Sequence, residues 1–336
     1  MRAIVIREYG SPDVLKVEDV PEPQVGSGQV EITVHAAGLN FADVMARLGH
    51  YNRGTPIPYI GGFEVAGIVA RVAQDVDELA VGDRVAAMTR SGGFAESIAV
   101  DSRDVIKLPD SMSFEEGAAI PVAGTTAWAA LISYGNVQPG ERVLIKAAAG
   151  GVGVVAVQLA KYAGAEVWGA ASPQKHEVLK QLGADATVDY TMDGWEAGLP
   201  SFDLVLDAIG GDSFARSYDM LRSGGRLVAF GAASAFAGGQ RETGAGQEVP
   251  DFRLIEGLSA ANLIMDSKSL IGLDQRVLWD DRGTIQPWLA PLRPLLEKGA
   301  INGIVSEVVG FDDAARAHGI LASRGNIGKV VLVPRR

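Results

Sequence analysis

The sequence predicts a two-domain α/β protein, a β-rich unit combined with a doubly wound parallel sheet. Three observations carry this reading. The chain has 336 residues, too many for one typical domain and comfortable for two. Before Gly140 it shows short apolar or alternating runs separated by turn clusters. From Gly140 onward strand and helix patterns alternate, as in a sheet joined by crossover helices.

In the first part, Ala3 to Ile6, Val30 to Ala36, Val65 to Val72 and Arg84 to Ala87 read as strands. Ser11-Pro12-Asp13, Pro21-Glu22-Pro23 and Gly82-Asp83 separate them as turns, and Phe41 to Leu48 reads as a short helix. In the second part, Val143 to Ile145 is a buried strand, and Gly150, Gly151 and Gly153 make a tight turn. Val152 to Ala163 then reads as a helix stopped by Gly164, with Val167 to Ala170 as the next strand. Strand, glycine turn, helix, strand is the unit that holds the pyrophosphate of a dinucleotide. Glycines let the backbone approach the phosphates, and the helix start offers unpaired N–H groups and the positive end of its dipole. The first glycine of the usual fingerprint is replaced here, giving Ala148-x-Gly150-x-x-Gly153. The plain alternative is a glycine-rich turn in some other α/β protein.

Further strands are expected at Ala186 to Val188, Leu204 to Leu206, Arg226 to Phe230 and Leu270 to Leu273, with helices at Pro173 to Leu182 and Asp212 to Leu221. Ala235 to Pro250 is glycine-rich and polar, which suits either a mobile lid or a surface insertion. A helix at Ile285 to Leu296, a strand at Val305 to Val309, a helix at Asp312 to Leu321 and a strand at Lys329 to Val333 close the chain.

Composition removes several function classes. Apolar residues at 47%, charged residues at 21% and 42 glycines suit compact, loop-rich cores and not a disordered chain. A formal net charge of −11 argues against a nucleic-acid partner or an anionic membrane surface. The chain has no cysteine, which excludes disulfides, thiolate nucleophiles and thiolate zinc sites. The apolar run in MRAIVIREYG is too short for a signal peptide, and Ala147 to Leu159 is too short and too broken to span a bilayer. The expectation is a cytoplasmic protein without a membrane partner.

About 20 residues past the glycines, an NAD enzyme carries an acid for the ribose 2′-hydroxyl. Here the strand ends Ala170-Ala171-Ser172-Pro173-Gln174-Lys175, with no carboxylate. Ser172 can donate a hydrogen bond and Lys175 supplies positive charge, which suits a 2′-phosphate. Ser172 is equally a helix cap with Pro173 at the first position, and Lys175 equally a solvated surface residue; both readings can hold together.

GLNFAD from Gly38, GGFEVAG from Gly61, VGDRV from Val81 and AAAGGVG from Ala147 occur in order, and this ordered set resembles the medium-chain dehydrogenase/reductase superfamily over essentially the whole chain. GLNFADVMARLGHY and the closing NIGKVVLVP are most similar to its zinc-free quinone oxidoreductase (zeta-crystallin) group, close to the vesicle amine transport protein homologue branch. The resemblance implies a split GroES-like catalytic domain, residues 1–122 and 276–336, around a Rossmann NADPH-binding domain at residues 123–275. It implies a ligand cleft at their junction, and a homodimer in which the last strands of two dinucleotide domains pair edge to edge.

Zinc alcohol dehydrogenases carry a cysteine where this chain has Asn40 and a histidine where it has Phe63. Asn40 is a poor zinc ligand, Phe63 is none, and Glu64 alone is not a site. The four histidines, His35, His50, His176 and His318, lack metal-ligand spacing. No metal is expected.

The chemistry left is that of a hydride-carrying cofactor, expected to be NADPH, acting on a carbon activated by conjugation to a carbonyl. A quinone, an enone or an enoyl thioester such as an acyl-CoA fits. Such a site must stabilise charge on the carbonyl oxygen and deliver a proton. By resemblance, Tyr51 matches the tyrosine near the substrate of enoyl-thioester reductases, as a proton donor or as a packing aromatic at the cleft rim. Asn40 is placed to hold the carbonyl or the nicotinamide ribose. The resemblance also assigns cofactor contacts. Thr126 lies on the nicotinamide side, and Gly150, Gly151, Val152 and Gly153 form the pyrophosphate turn. Ser172, Lys175 and Tyr190 form the 2′-phosphate pocket. Phe230, Gly231 and Ala232 follow the fifth strand, and Asn326 sits in the closing motif. Arg53 and Arg241 could meet CoA phosphates or be plain surface. A reductase restricted to short-chain enoyl-CoA and a non-catalytic NADPH-binding protein are the alternatives.

Overall fold

The computed structural model describes residues 1–51, 56–236 and 258–334. The strands are β1 (Arg2–Ile6), β2 (Leu15–Asp19), β3 (Gln29–Leu39), β4 (Tyr59–Ile60), β5 (Glu64–Val72), β6 (Arg84–Met88), β7 (Ser97–Asp101), β8 (Val105–Lys107), β9 (Arg142–Lys146), β10 (Glu166–Ala171), β11 (Ala186–Asp189), β12 (Phe202–Asp207), β13 (Leu221–Ala229), β14 (Ser269–Gly272), β15 (Val305–Gly310) and β16 (Lys329–Val333). The α-helices are α1 (Phe41–Arg47), α2 (Phe114–Gly117), α3 (Pro121–Trp128), α4 (Gly151–Tyr162), α5 (His176–Gln181), α6 (Asp212–Asp219), α7 (Ala260–Asp266), α8 (Gln275–Arg282), α9 (Gln286–Leu289), α10 (Arg293–Glu297) and α11 (Ala314–Ala322). The described residues fall into two compact units, one from residues 1–125 and 279–334, the other from residues 126–236 and 258–278.

The first unit is GroES-like. Its larger sheet runs β15-β16-β3-β5-β6-β8, with β7 also paired to β3, and a three-stranded sheet runs β2-β1-β4. Alternation along β3 turns Val30, Ile32 and Val34 inward, where they pack with Ile4, Val65, Val85, Phe94, Phe311 and Leu332 in one apolar core. In this sheet β16 and β5 flank β3, with Val330 opposite Leu39 and Val65 opposite Ala37. Three strand ends, distant in sequence, therefore meet at one end of the sheet.

The second unit is Rossmann-like. Its parallel sheet runs β11-β10-β9-β12-β13-β14, so the strand order reverses between β9 and β12. Ligands of such sheets bind beyond the strand C-termini at that reversal. Leu144, Ala170, Phe202, Val205 and Leu227 form its core, and the near-continuous apolar runs of β9 and β12 reflect burial on both faces.

Several expectations need revision. The helix expected at Ile285 to Leu296 is broken into α9, a 3-10 turn at Ala290–Leu292 and α10, because Pro287, Pro291 and Pro294 each withhold a backbone donor. The helix expected to reach Leu221 stops at Asp219, since Leu221 already pairs with Phe202 at the head of β13. That strand ends at Ala229, leaving Phe230 in the following turn. Of the expected lid segment, residues 237–250 lie outside the described residues, as do Arg53 and Arg241. No helix among the described residues is long and apolar enough to cross a membrane.

Candidate functional site

In the Rossmann-like unit, β9 delivers the chain into the glycine turn. Ala147 there holds a left-handed backbone, φ 53°, which a non-glycine residue adopts only under strain. Gly150 is the N-cap of α4 and has no side chain to bond the first N–H groups of the helix. Gly151 and Val152, which carry those groups, are half-buried at the helix start. Gly153 is buried, and a Cβ there would stand 2.6 Å from the Ala148 carbonyl carbon. Close packing of helix on strand thus requires glycine at 153. The turn leaves the first N–H groups of α4 without a side-chain cap.

Ser172 and Tyr190 lie at the same end of the sheet, and Lys175 ends the 3-10 turn Pro173–Lys175 that follows Ser172. Ala171 at the end of β10 pairs with Asp189 at the end of β11, so Ser172 and Tyr190 follow neighbouring strand ends. Ser172 is buried, Lys175 half-buried and Tyr190 exposed. Two neighbours were not singled out from sequence. His176 bonds through Nε2 to Ala171 O at 2.9 Å. The Asp189 carboxylate turns onto Thr191, accepting from its N–H at 2.9 Å and its hydroxyl at 2.6 Å, and these bonds hold its pKa below the usual value.

Phe230, Gly231 and Ala232 lie just past β13. Gly231 packs on the Ala208 backbone so closely that a Cβ would come within 2.8 Å of Ala208 Cα. That contact is organised by a buried network invisible in the motif. Lys146 Nζ donates to Ser213 and Ser217 Oγ and lies 3.5 Å from Asp207 Oδ2. Asp207 Oδ2 accepts from both hydroxyls at 2.6 Å, and its Oδ1 from Ile209 N at 2.7 Å. Burial pushes the Lys146 pKa down, with Asp207 opposing. A lysine in the apolar run VLIK was the available signal. Thr126 is buried in α3.

The GroES-like unit holds Asn40 and Tyr51. Asn40 follows β3 and is the N-cap of α1, where Asp43 Oδ2 accepts from Asn40 N at 2.8 Å. The Asn40 side chain turns inward. Its Oδ1 accepts from Lys329 Nζ at 2.7 Å, and its Nδ2 donates to Glu64 Oε1 at 2.8 Å. Lys329 Nζ also meets Glu64 Oε1 at 2.6 Å, while Glu64 Oε2 accepts from Val122 N, the second residue of α3, at 2.8 Å. Gly38 makes room: a Cβ there would stand 2.8 Å from Glu64 Cδ. Asp43 is fully buried, and desolvation pushes its pKa up to about 7 against two backbone donors, Asn40 and Gly62.

Tyr51 follows α1, and its ring meets Phe63 edge-on at 5.9 Å and 87°. Phe63 directly precedes Glu64 at the start of β5, so Tyr51 packs beside the chain that carries the Asn40 partner. Asn326 does not join the Rossmann-like residues. It lies in the other unit and donates from Nδ2 to Gly328 O at 2.6 Å, within the turn that delivers Lys329. Sequence reasoning also missed Lys329 and undervalued Glu64, because their partnership spans 265 residues.

Comparison with known proteins agrees with both halves. A family described as alcohol dehydrogenase GroES-like domain matches residues 26–110, and one described as zinc-binding dehydrogenase matches residues 182–332. The chain is 34% identical to the human synaptic vesicle membrane protein VAT-1 homolog over 342 residues, covering 99% of this chain and 86% of that protein. Among solved structures it is similar to the quinone oxidoreductase from Thermus thermophilus, described also in complex with NADPH. The identity there is 34% and the TM-score 0.80, over 99% of this chain and 100% of that one. It is also similar to the CurK enoyl reductase, with 28% identity and a TM-score of 0.84 over 99% and 98% of the two chains.

The zinc in one family description does not fit the residues present. Phe63 has no donor atom, and Asn40 Oδ1 and Glu64 Oε1 already share the Lys329 ammonium. Among the described residues no group of three or more His, Cys, Asp or Glu side chains is arranged to hold a metal.

Proposed function

The chain belongs to the zinc-free quinone oxidoreductase group of the medium-chain dehydrogenase/reductase superfamily, near the VAT-1 homologues, and from that premise we propose that it is an NADPH-dependent reductase of quinones or α,β-unsaturated carbonyl compounds. One observation carries the proposal: the strained, uncapped glycine turn at the start of α4, at the point where the sheet order reverses. It is a backbone anion cradle of the kind that takes a pyrophosphate.

In this reading the N–H groups of Gly151 and Val152 hold the pyrophosphate. Ser172, Lys175 and Tyr190 recognise the 2′-phosphate, which an acid at the end of β10 would repel. Phe230, Gly231 and Ala232 border the cofactor, held by the Lys146–Asp207 network. NADPH bound there would supply a hydride for the alkene carbon far from the carbonyl, and the protein would have to stabilise the charge left on the oxygen. Among the described residues, the second Nδ2 proton of Asn40 meets only Gly38 O, at a long 3.4 Å, and in this reading it is the donor offered to that oxygen. Tyr51, whose phenol can act as a hydrogen donor, supplies a proton to the adjacent carbon.

The similarity to the CurK enoyl reductase favours acyl thioesters as one acceptor class. The exposed edge at β14, with Ile264 and Met265 of the adjoining α7 exposed at 76% and 84%, supports a homodimer paired strand to strand. Oxidation of NADPH in the presence of quinones, enones and short enoyl-CoA thioesters tests the function. Tight NADPH binding without turnover on any of them would favour a non-catalytic binding protein.

A further inference from the structure

Lys329 begins β16 with its side chain 4% exposed, and its ion-pair partner Glu64 is completely buried. An ammonium can only donate, and a carboxylate can only accept. The Asn40 amide between them has therefore one permitted orientation, Oδ1 toward Lys329 at 2.7 Å and Nδ2 toward Glu64 at 2.8 Å. Turning it over would set NH2 against ammonium and carbonyl against carboxylate, in a buried place where neither contact is relieved by bulk solvent. A cation on Oδ1 also polarises the amide and strengthens its N–H groups as donors. The Nδ2 proton not held by Glu64 is the one with only the 3.4 Å contact to Gly38 O.

We propose that Lys329 is a positioning residue for hydride transfer: its buried ammonium fixes and polarises the Asn40 amide so that one N–H is held ready for the carbonyl oxygen of the acceptor. The proposal rests on the reductase reading above and adds to it a residue that touches neither cofactor nor acceptor. The same ammonium neutralises Glu64, whose other oxygen holds the start of α3 through Val122 N. Lys329 thus ties three strand ends and a helix start together around one cation.

The test is chemical rescue. Lys329→Ala should lower kcat on enones by about 10- to 100-fold, less than the roughly 10²- to 10³-fold cost of losing a direct oxyanion donor. KM for NADPH should change by no more than about twofold, since the effect falls on the reacting oxygen. Methylammonium should restore part of kcat and raise the thermal midpoint of the variant but not of the wild type. Tetramethylammonium, which has charge but no N–H, should do neither. Lys329→Arg should retain more activity than Lys329→Ala. If Lys329→Ala does not fold, Lys329→Met combined with Glu64→Gln removes both charges at similar volume, and should bind NADPH normally while losing kcat. Wild-type kcat in either variant, or a loss in Lys329→Ala that methylammonium does not relieve, overturns the proposal. If the wild type turns over no acceptor, the reductase reading has failed separately. The thermal arm then decides Lys329: a midpoint gain confined to Lys329→Ala with methylammonium supports the internal cation, and no gain overturns it.

Discussion

Gly153→Ala probes the anion cradle with one methyl group. Gly153 is in the first turn of α4 with ordinary helical backbone, so alanine is conformationally acceptable and even favoured by about 1 kcal/mol of helix propensity. The obstacle is space. The new Cβ would stand 2.6 Å from the Ala148 carbonyl carbon, whereas carbon atoms pack at about 3.5–4.0 Å, so helix and turn must part by about 1 Å. Overpacking of this kind costs about 1–3 kcal/mol, which the propensity gain offsets in part. Fold stability should therefore fall only modestly. A 1 Å displacement is nevertheless large for N–H groups that must meet a pyrophosphate. Loss of one charge-assisted hydrogen bond, about 1.5–3 kcal/mol, weakens binding about 10- to 100-fold. Gly150→Ala is the control, because its Cβ would meet only Ala147 O, at 3.2 Å, and should be milder. Fluorescence titration with NADPH and thermal denaturation without nucleotide separate the two effects. NADPH affinity within about twofold of wild type in Gly153→Ala would refute the cradle.

Lys175→Ala should weaken NADPH by about 10- to 100-fold and leave NADH nearly unchanged, measured by titrating both nucleotides; equal losses would mean that the 2′-phosphate is not read there. Tyr51→Phe should lower turnover on enones or enoyl thioesters by about 10²–10⁴-fold with little effect on NADPH binding, and quinone reduction should be less sensitive; unchanged turnover would assign the proton to water. His318 is fully buried in α11 with both ring nitrogens unpaired among the described residues, and burial, assisted by Arg47, pushes its pKa down to about 3. The unfolded chain takes up a proton below about 6.5 while the folded chain does not, so stability is complete above that pH and falls as pH drops toward 3. His318→Leu should remove about 2 kcal/mol of the stability lost between pH 7.5 and pH 5, read from urea midpoints; equal losses in both proteins would place the acid sensitivity elsewhere.

The two-part architecture was legible because each part writes a different period. The strand–glycine–helix–strand unit around Gly150 is local, and its boundaries follow directly from apolar runs and from Gly164. The short strands β4, β7 and β8 left little trace, since each gains its stability from partners far along the chain; β7, for example, is fixed by pairing with β3. The break after Ile285 could have been read from three prolines that an apolar pattern obscured. Ser172 and Tyr190 follow neighbouring strand ends, as their positions after successive strands implied. The interior of the Asn40 cluster was not legible. Glu64 reads as one stray carboxylate and Lys329 as the first residue of a strand, and only the alignment of β16, β3 and β5 makes them partners. Lys146 and Asp207 were hidden for the same reason, being 61 residues apart on adjacent strand ends.

The proposed activity is metal-independent hydride transfer from NADPH to an activated carbonyl compound. Chelator-treated protein should be mixed with NADPH or NADH and, in turn, a quinone, an enone and a short enoyl-CoA, with nucleotide oxidation followed and the reduced product identified. Turnover on at least one acceptor, a strong preference for NADPH and no response to added zinc are expected. NADPH binding without any product, or activity that appears only when zinc is restored, would contradict it.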